Sequence, residues 1–174
     1  MNERNKKNYI LIGMPTSGKS TVGVILAKIM GMDFLDTDLL IQQREGMLLS
    51  EIIEKKGIDG FLQCEEDALL SIKKDNTVIA TGGSAVYSKP AMDYLHKNGI
   101  VCYLKVEKEE LFSRLNDVKE RGVVLRDGES IDEMFENRSV LYENYADVVI
   151  DEEDKTIEGT VQATIEAINR ILQK

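Results

Sequence analysis

Gly13-Met14-Pro15-Thr16-Ser17-Gly18-Lys19-Ser20 is the stretch on which the fold turns, because it has the spacing G-x4-G-K-[ST]. An apolar run at residues 9–12 precedes it, short and continuous as in a buried strand. After it, Val22, Ile25, Leu26 and Ile29 recur on one face of a helix expected to begin at about Ser20. Strand, glycine-bearing turn and helix in that order form a phosphate-cradling loop. Glycines let the backbone close around phosphate oxygens, and the N–H groups of the helix start point at the anion. Lys19 is expected to reach the β- and γ-phosphates and the Ser20 hydroxyl to ligate Mg²⁺. The loop as a whole, Gly13, Pro15, Thr16, Ser17, Gly18, Lys19, Ser20 and Thr21, therefore predicts binding of ATP or GTP.

Outward from this loop, further short apolar runs at residues 33–35, 77–80, 100–104 and 148–150 alternate with helical patterns. That alternation predicts βαβ units and a mostly parallel α/β sheet, with strands buried on both faces. A helix from about Thr156 carries Ile157, Val161, Ile165, Ile168 and Ile171 as its core stripe. Ser130 with Glu133 forms a capping box opening a helix towards Tyr145, and Ser88 with Pro90 marks another helix start. Residues 116–129 contain two glycines and no sustained periodicity, the signature of a functional or mobile loop.

The 174 residues suit one domain, at ~100–200 residues each, and neither a repeat nor a linker divides them. With 43% apolar and 30% charged residues, the chain is globular rather than disordered. A net charge of −9 without any basic block excludes the electrostatic footprint of a nucleic-acid binder. Cys64, Cys102 and His96 make no zinc set, and the two thiols are expected as small core residues in a reducing compartment. No signal-peptide region precedes the first turn, and no run approaches the ~18 apolar residues of a membrane span, so a cytoplasmic protein is expected.

Three other features carry chemistry. Asp36-Thr37-Asp38 ends the second strand, and ligands of open α/β sheets sit outside the carboxyl ends of the strands. One acid can hold metal-bound water while the other accepts the proton of an attacking hydroxyl; alternatively, Asp38 merely caps the next helix. Thr81-Gly82-Gly83-Ser84 follows the third strand and permits close backbone approach to a ligand, or is an ordinary turn. Arg114, Arg121, Arg126 and Arg138 cluster in or beside the long loop, where arginines can stabilise charge on a transferring phosphoryl group. Glu65 and Glu66 read as a pair on a helix face, or alternatively as residues beside the substrate, and His96 as a surface residue.

Taken in order, GMPTSGKST, FLDTD, Gly60-Phe61-Leu62-Gln63-Cys64-Glu65-Glu66, ATGG and Arg138 with Tyr142 resemble the shikimate kinases over nearly the whole chain. The resemblance implies a three-layer P-loop NTPase fold, of the nucleoside-monophosphate-kinase type, with a five-stranded parallel sheet flanked by helices. It implies a mobile lid at about 116–129 and a substrate-binding helical segment at about 38–74, in a single domain expected to be a monomer. It also implies transfer of the ATP γ-phosphate to the 3-hydroxyl of shikimate, with Mg²⁺. Residue by residue, it makes Lys19, Asp38 and Arg121 catalytic, and Ser20 and Asp36 the metal ligands. Asp38, Gly82, Gly83 and Arg138 become substrate contacts, and Arg114 and Arg121 join the phosphate loop in holding the nucleotide.

Three positions depart from the family pattern. Leu62 stands where an arginine normally meets the substrate carboxylate, Ser84 replaces a third glycine, and Arg121-Gly122-Val123-Val124 replaces R-P-L-L. All three bear on recognition or closure, so two alternatives stay open: a kinase of another hydroxylated metabolite such as a gluconate-type sugar acid, or a nucleotide-binding module without catalysis. A nucleoside monophosphate kinase fits less well, because Leu62 and Gln63 leave too few acceptor-side cations.

Overall fold

The computed structural model describes residues 7–115, 123–126 and 128–173. Five strands, β1 (Asn8–Ile12), β2 (Asp33–Asp36), β3 (Thr77–Ala80), β4 (Gly99–Lys105) and β5 (Val148–Asp151), form one sheet. Their order is β2-β3-β1-β4-β5 and every pairing is parallel. All five apolar runs are therefore strands, and each boundary lies within one residue of its expected place.

Helices cover both faces: α1 (Lys19–Met30), α2 (Thr37–Glu45), α3 (Leu49–Leu70), α4 (Lys89–Asn98), α5 (Lys108–Leu115), α6 (Ile131–Tyr145) and α7 (Ile157–Leu172). The twofold alternation of a strand divides β1 between two cores. Tyr9 and Leu11 pack with Val22 and Leu26 of α1 and Val161 and Ile168 of α7. Ile10 and Ile12 pack on the opposite face with Met92 and Leu95 of α4 and Met134 and Tyr142 of α6. Each such fully buried aliphatic side chain contributes about 1.5–3 kcal/mol. The helix starts follow the sequence: Ser88 caps α4, Ser130 and Glu133 form the box at α6, and Thr156 caps α7.

Three core expectations need correction. Ile29 is 60% exposed, because the buried face of α1 is centred on Gly23, Leu26 and Ala27. Gly23 draws the helix so close to β2 that a Cβ there would lie 2.7 Å from the Phe34 ring. Ile157 is 47% exposed because it is the first residue of α7, ahead of the turns that meet the sheet. Cys64 is only half-buried and accepts a 3.3 Å hydrogen bond from Lys56, whereas Cys102 is fully buried as expected; both are free thiols.

The order of the strands also sets the site. From β1 the chain passes to β2 and β3 on one side and then jumps to β4 on the other. The carboxyl ends of β1, β2 and β3 thus meet at a topological switch point, where a crevice opens. Among the described residues, no helix is long and apolar enough to cross a membrane. Arg121 and most of the expected lid lie outside the described residues.

Candidate active site

A cavity of about 530 Å³ opens at that switch point, lined by the phosphate loop, Asp38, Phe61, Glu65, Gly82, Gly83 and Arg138. The loop is closed by a hydrogen bond from Ser17 N–H to the Met14 carbonyl, and Gly18 leads into α1 at φ 82°. Gly13 is required for a reason its motif does not reveal. At φ 151° it passes β4 so closely that a Cβ would stand 2.6 Å from the Leu104 carbonyl oxygen. Thr16 holds φ 67°, a strained value for a branched residue, of the kind stored at ligand-binding loops.

Lys19 is buried and folded back over the loop. Its Nζ donates to the Gly13 carbonyl at 2.9 Å, the Met14 carbonyl at 2.6 Å and Ser17 Oγ at 3.3 Å. Burial lowers its pKa to about 8, against the pull of Asp38, Glu152 and Asp36. Turning towards a phosphate would exchange neutral acceptors for anionic ones, a gain in charge-assisted bonding. Arg114 approaches from α5, donating to the Thr16 carbonyl at 3.1 Å, so it sits against the loop.

The two acids at the end of β2 divide their work differently from the simplest sequence reading. Asp36, not Asp38, caps α2: its Oδ1 accepts from the N–H groups of Asp38 at 2.9 Å and Leu39 at 3.4 Å. Its Oδ2 accepts the Ser20 hydroxyl at 2.6 Å. This hydroxyl–carboxylate pair, open to solvent at Ser20, suits a small hard cation that keeps most of its waters. Asp38, in the first turn of α2, has no capping duty and faces the cavity. Burial and the neighbouring Asp36 push its carboxyl up to about 6, while Lys19 pulls the other way.

Gly82 and Gly83 form the floor. Thr37 Oγ1 accepts from Gly82 N–H at 3.1 Å, and the Tyr142 hydroxyl donates to the Gly83 carbonyl at 2.6 Å, so the turn is pinned from both sides. A Cβ on Gly82 would stand 2.3 Å from Glu65 Oε1 and 3.0 Å from Asp38 Oδ1. One on Gly83 would stand 3.1 Å from Arg138 Nη1. Consecutive glycines therefore bare two carboxylates and a guanidinium to whatever lies over them. Arg138 is 1% exposed; its Nε donates to the Tyr87 hydroxyl at 3.1 Å and its Nη2 to the Val124 carbonyl.

Glu65 is a cavity residue that the sequence offers only as the second reading of a helix-face pair. The segment Leu49–Leu70 is broken at Gly57, whose φ of 71° and ψ of 178° are not helical. The second half is thereby aimed so that Phe61 and Glu65 point into the cavity. Ser84, the residue in place of a third glycine, donates its hydroxyl to Glu65 Oε2 at 2.6 Å, and Oε1 has no partner among the described residues. Burial pushes this carboxyl from 4.5 to about 7, and Asp38 adds to the shift, while Ser84, Arg138 and Lys19 oppose it.

This raised value has a consequence for stability. The folded state holds the proton more tightly than the unfolded chain, so the stabilisation is complete below pH 4.5 and is lost as pH rises towards 7. Glu65→Gln keeps an acceptor for Ser84 and cannot ionise. It should be more stable than the natural protein at pH 8 by about 1–3 kcal/mol and no more stable at pH 4. Urea unfolding at the two pH values measures this, and equal stabilities at pH 8 would show that Glu65 bears no such penalty.

The family model described as shikimate kinase matches residues 15–169. This chain belongs to the shikimate kinase family. The shikimate kinase of Caldanaerobacter subterraneus subsp. tengcongensis is 37% identical over 164 residues, covering 92% of this chain and 95% of that one. The structure described as shikimate kinase from Acinetobacter baumannii in complex with shikimate superposes with a TM-score of 0.87 at 29% identity, covering 97% and 96% of the two chains. A gluconokinase from Sinorhizobium meliloti superposes with a TM-score of only 0.59 at 16% identity, over 98% and 96%, a likeness of fold alone. Family membership makes the chain an ATP-dependent kinase with a small-molecule acceptor, on the three-layer, five-stranded P-loop fold expected.

Proposed function

We propose that this protein transfers the γ-phosphoryl group of ATP to the 3-hydroxyl of shikimate, as its family relationship supports, and that the residues above divide the work as follows. The observation that carries this division is the pair of glycines, Gly82 beside Asp38 and Gly83 beside Arg138. A ring-sized acid resting on them would present a hydroxyl to a base at one end and a carboxylate to a cation at the other. Arg138 fits the carboxylate role physically: it is almost fully buried, and its two bonded partners are neutral oxygens. A buried charge of that kind is costly until an anion joins it.

Asp38 orients the hydroxyl and takes its proton, a step that contributes roughly two to four decades of rate in comparable acid–base systems. Lys19 and Arg121 neutralise charge on the phosphoryl oxygens, and the backbone of residues 13–21 cradles the phosphates. Arg114, held against Thr16, closes the nucleotide side. Ser20 and Asp36 would hold Mg²⁺, which when bound neutralises phosphate charge. The chain acts as a single kinase domain, with 38–74 forming the acceptor side and 116–129 the lid, and works as a cytoplasmic monomer.

Two measurements bear on this reading. Phosphorus NMR of the reaction mixture should show a new phosphomonoester whose phosphorus couples to the proton on ring carbon 3, and coupling elsewhere on the ring would refute the assignment. Gly82→Ala should raise the acceptor KM by roughly tenfold or more, since a close overlap costs ~1–3 kcal/mol, with the ATP KM nearly unchanged. Equal effects on both substrates would place Gly82 outside the acceptor site.

A further inference from the structure

Beside the main cavity lies an annex of about 190 Å³, lined by Leu62, Gln63, Ser84, Tyr87 and Arg126 among others. Ser84 and Glu65 line both spaces, so the two adjoin. Tyr87 sits at the end of the short turn Ala85–Tyr87 that follows the glycine floor. Its ring carries two guanidinium groups, that of Arg138 with its carbon 5.0 Å from the centroid and that of Arg126 at 4.2 Å. One ring thus ties an arginine of the main cavity to an arginine of the annex.

We propose that Arg126 is a second carboxylate-binding residue of the acceptor site, supplying through the annex the cation that Leu62 does not. Rested on the shikimate reading above, this deepens it by naming what selects the acid. Leu62 lines the annex, so a longer basic side chain at that position and the Arg126 guanidinium would enter the same space. Among the described residues, neither Arg126 nor Arg138 has a carboxylate within 4.0 Å. The acids bordering the annex do not change this: Glu65 is engaged by the Ser84 hydroxyl at 2.6 Å, Glu66 by the Ser88 hydroxyl at 2.5 Å, and Asp59 is exposed.

The backbone of Arg126 is held in place. Its N–H donates to Glu129 Oε2 at 3.1 Å, and its carbonyl accepts from Glu129 N–H at 2.9 Å, next to the capping box of α6. Stacking on Tyr87 limits the freedom of the guanidinium further, so little is lost when it bonds an anion. Two arginines converging on one carboxylate give charge-assisted bonds that a neutral analogue cannot make.

The test uses the full chain with shikimate and the corresponding carboxamide as acceptors. Arg126→Gln should raise the shikimate KM by roughly ten- to thirtyfold with kcat and the ATP KM nearly unchanged, and should leave the carboxamide KM unaffected. Arg126→Lys should fall between. Leu62→Arg in the Arg126→Gln background should restore most of the shikimate KM, because it places a cation in the same annex. If the natural protein turns over shikimate and Arg126→Gln leaves its KM unchanged, or raises it equally for acid and amide, Arg126 does not bind the carboxylate. If the natural protein does not turn over shikimate at all, the reading underneath fails instead, and this inference with it.

Discussion

Asp38→Asn should lower kcat by roughly two to four decades while ATP binding stays nearly intact. Asparagine matches the shape of aspartate but cannot take a proton from the acceptor hydroxyl. The structure sharpens this expectation, because Asp36 already caps α2 and Asp38 has no competing structural duty. A loss of helix stability is therefore not expected to mask the kinetic effect. Steady-state turnover together with nucleotide titration separates the two, and near-natural turnover in the variant would remove Asp38 from the chemistry.

Lys19→Ala should act on both substrates' reaction at once, weakening nucleotide binding and lowering kcat by roughly 10²- to 10³-fold, the loss that follows removal of one preorganised electrostatic donor. The buried ammonium now rests on the Gly13 and Met14 carbonyls and Ser17, so its removal also takes one donor from each of those loop acceptors. Nucleotide affinity and rate both unchanged would mean that the loop does not hold phosphate. The contrast between the variants, one selective for the chemical step and one affecting binding and transfer together, follows from their places, Asp38 at the start of α2 and Lys19 on the phosphate loop.

What the sequence made legible was what is local. The phosphate loop, five strands and three helix caps each depend on neighbours a few residues apart, so spacing alone revealed them. What it hid depends on approach between distant segments. Gly13 is needed because of Leu104 on β4, a contact between loop and strand that no motif encodes. Glu65 read first as half of a helix-face pair because the break at Gly57, which turns it inward, is a backbone feature of a single glycine. The acids at 36 and 38 were recognised as a pair, but which of them caps α2 is decided by the extended conformation at Asp36, with φ −96° and ψ 120°. Ser84 stood out as a departure before its hydrogen bond to Glu65 gave it a purpose. Arg126 and Arg138 both stack on Tyr87, which lies far from both in sequence.

The central claim is that shikimate is the acceptor, and it is tested most directly by ADP release from the purified protein with ATP, Mg²⁺ and a panel of hydroxylated acids that includes shikimate and gluconate. The expected result is shikimate-dependent ADP release, one ADP for each phosphorylated shikimate, with the other acids at background. Release driven by another acid, with none above background for shikimate, would contradict it.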